Sequence, residues 1–275
     1  MKKVASGAVA KPLGLNFSSL STSGVVDLLA SRALRAGEGV RMVLTANVDH
    51  VVQVSRNRAF RDAYRSAFLV TADGMPVYLY ARLRGAAAPS RVTGADIFAE
   101  LAPRLSPDRH RLFFVVASEE VGRQMLERLS LQGFSPDQVR LVSPPRGFEK
   151  DAAYSAQLAA EIRNHATTHL FFGVGAPKSE IWVHRHRALL GDCYALPFGA
   201  AAEFYVGARS RAPKLMQAAG LEWLYRLAQE PGRLFRRYAV DSWTFLAILA
   251  RDLSGDWREA PADRRAVPRL PLQQA

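Results

Sequence analysis

Short apolar runs alternate with longer amphipathic segments along most of the chain. The apolar runs have the length of strands, and the predicted strands are residues 13–17, 40–46, 68–71, 111–116, 139–142, 169–174 and 193–197. The longer segments have the length of helices, and the predicted helices are residues 24–36, 48–66 with a break near residue 56, 75–84, 95–104, 119–131, 152–164 and 178–190. This alternation predicts an α/β fold, a mostly parallel sheet with helices on both faces.

The pattern changes after about Gly207. Residues 215–251 contain no strand candidate, and this basic, aromatic stretch is predicted to be helical with a break at residues 230–232. We also expect a short disordered lead and, because it contains three prolines, a disordered tail. The expected organisation is a lead at residues 1–11, an α/β core at 12–206, a helical appendage at 207–255 and a tail at 256–275.

The 275 residues carry a net charge of +12. Such an excess favours polyanions, among them nucleic acid, anionic lipid and a nucleotide diphosphate, although a solvated basic surface has the same composition. The single cysteine, Cys193, excludes an intramolecular disulfide and fits a reducing compartment. No run of about 18 uncharged apolar residues occurs, so we expect no transmembrane helix, and residues 1–11 lack the apolar segment of a secretory signal.

Polar residues cluster where predicted strands end. Thr45, Asn47 and Asp49 lie at the end of the second predicted strand, and Asp73 with Gly74 follows the third. In open α/β sheets, ligands bind outside the carboxyl ends of the strands, so these clusters predict one composite site. The hydroxyl of Thr45 and the amide of Asn47 suit sugar hydroxyls or a phosphate, but the same residue types also cap helices.

Asp73 is the candidate general base. A carboxylate that is followed by glycine at a strand end lies at a sharp turn and faces a cleft, which is the placement that a general base needs. The alternative is a turn residue or helix N-cap before Pro76, since aspartate and proline are both favoured there.

A third cluster, Arg91, Thr93 and Gly94, precedes a predicted helix. A helix N-terminus beside an arginine is a ready site for an anion. We expect the neighbouring Asp96 to be a first-turn helix residue rather than a catalytic group.

The fourth cluster consists of Gly173, Gly175, Pro177, Lys178 and Glu180, which follow one predicted strand and open a helix. A dinucleotide-binding fingerprint would need a third glycine where Lys178 stands. The loop is therefore a weak dinucleotide signal, and we expect its backbone donors to approach a phosphate or a uracil instead.

The sequence offers no metal site. The six histidines have no convincing third ligand for zinc. No Asp-x-Asp pair is present to hold a metal-bound nucleotide sugar. We therefore expect neither a metal nor a cofactor.

Together these motifs resemble the WecG/TagA/CpsF family, glycosyltransferase family 26. The resemblance covers about residues 13–238 and is carried by motifs in the family's order, namely Thr45-x-Asn47-x-Asp49, Ala72-Asp73-Gly74-x-Pro76, Arg91-Val92-x-Gly94-x-Asp96, Gly173-x-Gly175-x-Pro177-Lys178-x-Glu180 and Gly220-Leu221-Glu222-Trp223. Where the family usually has glutamine, this chain has Ser179. We interpret this difference as a sign of a donor sugar other than the N-acetylmannosamine of the wall teichoic acid members.

The resemblance implies a Rossmann-like core and an inverting, metal-independent reaction. A hexose-type sugar, such as glucose, N-acetylmannosamine or its uronic acid, would pass from a UDP-sugar to a polyprenyl-diphosphate-linked glycan in surface or exopolysaccharide assembly. The implied location is cytoplasmic, with peripheral attachment to the inner face of the cytoplasmic membrane. The helical appendage would close over the active site and help the enzyme to dock on that membrane.

The resemblance also implies roles for individual residues. The family's base corresponds to Asp73, its threonine and asparagine to Thr45 and Asn47, and its core arginine to Arg91. The appendage arginines that hold the UDP diphosphate correspond to Arg226, Arg233 and Arg236. The implied substrate-binding residues of the other clusters are Asp49, Gly74, Thr93, Gly94, Gly173, Gly175, Pro177, Lys178 and Glu180.

Two other function classes fit parts of the sequence. The net charge suggests a non-catalytic protein that binds nucleic acid, and the loop at Gly173 suggests an oxidoreductase with a nucleotide cofactor. A glycosyltransferase would instead have a UDP-sugar, a lipid-linked acceptor and the membrane surface as partners, without nucleic acid. Self-association into a homo-oligomer is one further interaction that the sequence allows.

Overall fold

A computed structural model describes residues 11–255, without the side chains of residue 218 and residues 233–240. Its sheet has six strands in the order β2-β1-β6-β5-β3-β4, and every neighbouring pair is parallel. The strands are β1 (Arg41–Ala46), β2 (Leu69–Ala72), β3 (Leu112–Val116), β4 (Val139–Val142), β5 (His169–Gly173) and β6 (Tyr194–Leu196). The predicted α/β fold is therefore confirmed.

Helices connect and follow the strands. They are α1 (Thr22–Ser31), α2 (Val48–Arg56), α3 (Arg58–Arg65), α4 (Met75–Leu83), α5 (Gly94–Leu101), α6 (Glu119–Leu131), α7 (Ala152–Asn164), α8 (Lys178–His186), α9 (Ala201–Val206), α10 (Lys214–Ala218), α11 (Glu222–Gln229) and α12 (Pro231–Leu253). The short helix α9 is missing from the prediction. The predicted break near residue 56 is confirmed, because Asn57 ends α2 and its side chain caps α3 by accepting the N–H of Phe60.

The sheet is buried on both faces, as a parallel sheet must be. Along β1, Met42 and Leu44 point into one apolar core, and Val43 between them points into the other. This double burial explains why the strands read as continuous apolar runs.

The predicted strand at residues 13–17 is wrong. Residues Pro12–Gly14 form a 3-10 turn, and Leu13 and Gly14 have φ angles of 60° and 67°. Such angles are incompatible with extended backbone, and Phe17 makes only a single bridge to Val70 of β2. The apolar residues of this segment are buried, but by an irregular chain.

The C-terminal appendage forms helices α10, α11 and α12, and the predicted break between the last two is found at Glu230. Helix α12 packs against α2. Near its end, the buried Asp252 accepts hydrogen bonds from the Tyr80 hydroxyl at 2.6 Å and from the Leu13 amide at 3.1 Å. The predicted lead and tail lie outside the described residues, apart from residue 11.

Candidate active site

The carboxyl ends of β2, β1, β6 and β5 lie side by side, and a cleft of about 290 Å³ opens above them. We call it cleft A. Its lining combines residues from these four strand ends, from the start of α5 and from the appendage. They are Thr45, Asn47, His50, Asp73, Thr93, Gly94, Ala95, Val174, Gly175, Ala176, Glu180, Pro197, Phe198, Gly199, Ala200, Ala201, Glu203, Phe204, Arg209, Glu222 and Arg226.

A second cleft of about 360 Å³, cleft B, lies between the core and the appendage. It is lined by Asn47, Val48, Asp49, Asp73, Gly74, Met75, Pro76, Arg91, Gly220, Glu222, Trp223, Arg226, Asp241 and Ser242. The clefts share Asn47, Asp73, Glu222 and Arg226.

Asp73 follows β2 directly and is held there by a hydrogen bond from its N–H to the carbonyl of Ala46. The carboxylate is half-buried, and its Oδ2 accepts the N–H of Gly94 at 3.3 Å. Burial raises the pKa of Asp73 to about 6, and the charge of Glu222 adds to the rise. The hydrogen bonds from Gly94 and Thr45 and the charge of Arg91 oppose this rise in pKa. Asp73 is thus a carboxylate with enhanced basicity that is still mostly ionised at neutral pH.

Two site residues cap helices, and for Asn47 this confirms the capping alternative. The Oδ1 atom of Asn47 accepts the N–H of His50 at 3.1 Å and caps α2. The Oγ1 atom of Thr93 accepts the N–H of Asp96 at 3.0 Å and caps α5. Both side chains nevertheless line cleft A, so capping fixes their positions at the cleft wall.

Glu180 is the most deeply buried carboxyl group at the site, with 1% of the residue exposed. Burial raises its pKa to about 8, and nearby Asp49 adds to the rise. Its Oε1 atom lies 3.9 Å from Nε2 of His50, whose Nδ1 is 2.6 Å from the Tyr64 hydroxyl. Oε2 has no hydrogen-bond partner among the described residues. A carboxyl group with this pKa is mostly protonated at pH 7 and can donate a hydrogen bond into cleft A.

Only part of the glycine-rich loop reaches a cleft. Gly175, with a φ of 90°, lines cleft A, whereas Pro177 and Lys178 line neither cleft. A Cβ on Gly173 would lie 3.1 Å from the carbonyl oxygen of Gly199, so a side chain here would require the Gly199 backbone to shift by a few tenths of an ångström. Ser179 is buried and donates its hydroxyl to the carbonyl of Gly175 at 3.3 Å. It supports the loop and does not line a cleft.

Two predicted arginines line the clefts, Arg91 in cleft B and Arg226 in both. Arg91 donates to the carbonyls of Asp73 and Gln217 at 3.5 and 3.4 Å and lies 3.7 Å from Glu222. Arg226 lines both clefts, and its buried Nε has no hydrogen-bond partner among the described residues. The side chains of Arg233 and Arg236 lie outside the described residues, so their roles stay predictions.

Sequence reasoning missed the cleft wall that follows β6. Phe198 and Gly199 form this wall, and the Phe198 ring lies 3.3 Å from where a Cβ on Gly94 would stand. The sequence signal that could have predicted this wall is the apolar run of β6, which is followed by Phe198 and Gly199. Two appendage arginines were also missed: Arg209, which pairs with Glu203 and Glu230 at 3.2 Å each, and Arg211.

The described part of the chain contains no group of three or more His, Cys, Asp or Glu residues placed to hold a metal ion. Within residues 11–255, no helix has both the length and the apolar character to cross a bilayer.

Comparison with known proteins identifies a family and a relative that are similar to this chain. The family model described as "Glycosyl transferase WecG/TagA/CpsF family" matches residues 10–259. A relative from Bacillus spizizenii, an N-acetylglucosaminyldiphosphoundecaprenol N-acetyl-beta-D-mannosaminyltransferase, is 26% identical over 234 residues, which cover 85% of this chain and 88% of the relative. The chain therefore belongs to the WecG/TagA/CpsF family and is a glycosyltransferase.

Proposed function

We propose that the enzyme transfers a hexose-type sugar, with inversion, from a UDP-sugar to a glycan linked to a polyprenyl diphosphate. The observation that carries this proposal is the half-buried Asp73 at the junction of two clefts, with its pKa raised to about 6. The activity for which the Bacillus spizizenii relative is named supports a saccharide acceptor on a lipid diphosphate.

Asp73 acts as the general base. It accepts the proton of the acceptor hydroxyl while that oxygen attacks the anomeric carbon of the donor. The bond between the anomeric carbon and the diphosphate oxygen breaks, and UDP leaves with the bonding electrons. One displacement from the face opposite the leaving group inverts the anomeric configuration.

Cleft A supplies the donor contacts. The Gly175 loop approaches the nucleotide through its backbone, while Thr45, Asn47 and protonated Glu180 offer hydrogen bonds to sugar hydroxyls. Arg226 stabilises the leaving diphosphate, because a cation that is already oriented neutralises charge as it develops. Arg233 and Arg236 are proposed to share this role on the strength of the resemblance.

The enzyme is proposed to work at the inner face of the cytoplasmic membrane as a peripheral protein. Support comes from α12, where Trp243, Leu246 and Leu253 are exposed on a helix that otherwise packs against the core. An interfacial helix combines such residues with basic ones. Replacing Trp243 and Leu246 with serine should reduce co-sedimentation with anionic liposomes. Unchanged co-sedimentation would mean that the helix serves packing alone.

One titration tests the proposed function against its alternatives. The purified enzyme is titrated with UDP, UDP-glucose, UDP-N-acetylmannosamine, NAD and a mixed-sequence oligonucleotide. Saturable binding of UDP and of one UDP-sugar is expected, without comparable binding of NAD. Tight, steeply salt-dependent binding of the oligonucleotide with none of UDP would indicate a nucleic-acid-binding protein instead.

A further inference from the structure

Asp73 lines two clefts. Clefts A and B share Asp73, the neighbouring Asn47, and the α11 residues Glu222 and Arg226, and they are otherwise built from different residues. The two clefts thus meet at the proposed base and at one turn of the appendage.

Inverting transfer requires two such approaches. The attacking oxygen, the anomeric carbon and the leaving oxygen have to lie close to one line, so the acceptor and the leaving diphosphate lie on opposite sides of the reacting carbon. The base must also lie within hydrogen-bond reach of the attacking hydroxyl. If the nucleotide sugar occupies cleft A, the acceptor hydroxyl has to reach Asp73 from the other side.

We propose that cleft B binds the head group of the acceptor, a saccharide joined through a diphosphate to a lipid. This inference rests on the proposed function, since it assumes that cleft A takes the donor. It assigns the acceptor to a specific surface between the core and the appendage.

The chemistry of the cleft B lining fits such a head group. Met75, Pro76 and Trp223 offer apolar surface to the faces of a sugar ring, Asp49 and Asp241 offer carboxylates to its hydroxyls, and Arg91 offers a cation to a phosphate oxygen. Cleft B thus combines polar groups with one apolar wall formed by Met75, Pro76 and Trp223.

The wall depends on a close approach of the appendage to the core. Gly220 has a φ of 73°, and a Cβ at this position would lie 2.8 Å from the Cβ of Met75. Only glycine allows this contact, because a side chain would push α11 away from α4. The start of α4 and the start of α11, which form the wall, are therefore held in direct contact.

The helices α12 and α4, which line cleft B, also carry exposed apolar side chains. Ser242 lines the cleft, and the next residue of α12, Trp243, is 76% exposed. Met75 lines the cleft, and one turn later on α4 Leu79 is 58% exposed. Exposed apolar side chains on the two helices that line cleft B provide surface for a lipid tail whose head group is bound in the cleft.

Binding measurements with two separate probes test the proposal. One probe is UDP, and the other is N-acetylglucosaminyl diphosphate carrying a short prenyl chain. Ser242→Trp fills cleft B from an exposed position of α12 and should raise the Kd of the prenyl probe by about tenfold or more, which corresponds to about 1.4 kcal/mol. The Kd of UDP should stay within about twofold, a change of no more than about 0.4 kcal/mol.

Two matched variants complete the design. Ala200→Trp fills cleft A and should show the reverse pattern, with weaker binding of UDP and unchanged binding of the prenyl probe. Ala250→Trp adds the same side chain to an exposed position of α12 that lines neither cleft, and it should change neither Kd.

The outcomes separate the two proposals. If the wild-type enzyme binds UDP but not the prenyl probe, or if Ser242→Trp weakens UDP and spares the probe, the assignment of cleft B is wrong and the donor site stands. Equal binding of the probe by all three variants overturns the assignment in the same way. If the wild type binds neither probe, the proposed function fails, and the assignment fails with it.

Discussion

Arg211 donates a hydrogen bond of 2.7 Å from Nη1 to Oδ1 of Asp96 and so joins the appendage to the first turn of α5. The same guanidinium lies 3.4 Å from Glu222 of α11 and 3.4 Å from the hydroxyl of Thr93. One cation thus connects the core, the cleft wall and the appendage.

Arg211→Ala should loosen the appendage. The change leaves half-buried Asp96 without its cation and leaves Glu222 with only the more distant Arg91, which costs about 1–3 kcal/mol in such settings. We expect faster limited proteolysis between residues 212 and 230 and a kcat/KM at least about tenfold lower, which corresponds to about 1.4 kcal/mol.

Two controls accompany this variant. Arg211→Lys keeps the charge but loses the planar fork, so its effects should be intermediate. Arg104→Ala removes a solvent-exposed pair with Asp27 and should have little effect on either readout. Equal protease sensitivity of Arg211→Ala and Arg104→Ala would contradict the linking role of Arg211.

Asp73→Asn should remove the base while keeping the shape of the site. Loss of a general base lowers turnover by about 10²–10⁴-fold. UDP release in the presence of acceptor should fall by this factor, and the Kd of UDP should change little. Asp62→Asn, on the partly exposed surface of α3, is the matched control. Near-normal turnover in a folded Asp73→Asn enzyme would refute the assignment.

The pH dependence of kcat/KM should report Asp73. The base acts in its deprotonated form, so kcat/KM should rise about tenfold per pH unit below a pH of about 6 and stay level from there to about pH 8, where Glu180 ionises. Glu222→Gln removes a negative charge that raises the pKa of Asp73, so the midpoint should move to lower pH. An unmoved midpoint in Glu222→Gln, with an otherwise active enzyme, would mean that another group limits the reaction.

Glu180→Gln should change stability in a pH-dependent way. The carboxyl has an ordinary pKa of 4.5 and a folded-state pKa of about 8, so its stabilising contribution is complete below pH 4.5 and is lost as pH rises toward and through about 8. Glutamine does not titrate, so the Tm of the variant minus the Tm of the wild type should increase as the pH rises from 4.5 to about 8. A Tm difference that is constant from pH 4.5 to pH 8 would show that Glu180 titrates normally.

Activity is expected to be independent of divalent metal. Arginines such as Arg226 are the groups proposed to neutralise the leaving diphosphate, in the place where an acidic metal site would otherwise act. Turnover should be the same after treatment with EDTA and after addition of Mg²⁺ or Mn²⁺. Loss of turnover in EDTA and its recovery with Mg²⁺ would contradict this expectation.

The sequence predicts the sheet well because its strands are buried on both faces and so form continuous apolar runs. The same signal misleads at Leu13, Leu15 and Phe17, whose apolar alternation belongs to an irregular buried segment with positive φ angles. Helix α9 escapes prediction because six residues are too few to show a helical period.

The candidate site also has residues that the sequence predicts and residues that it does not. Thr45, Asn47 and Asp73 are predictable, because parallel strands bring their carboxyl ends to one edge. The contribution of Arg211 is not predictable from the sequence, because it depends on a contact with Asp96, which lies 115 positions away in the chain. No local pattern encodes which arginine of a basic segment will meet that carboxylate.

The bond between the Leu13 amide and Asp252 spans 239 positions. During synthesis, Leu13 is made 239 positions before the residue that supplies the acceptor for its buried amide. Until then the donor has to remain hydrated, since burying it without a partner is unfavourable. Folding of this enzyme on the ribosome therefore cannot finish before the end of α12 has emerged, and a nascent chain that lacks this helix end keeps the first turn undocked.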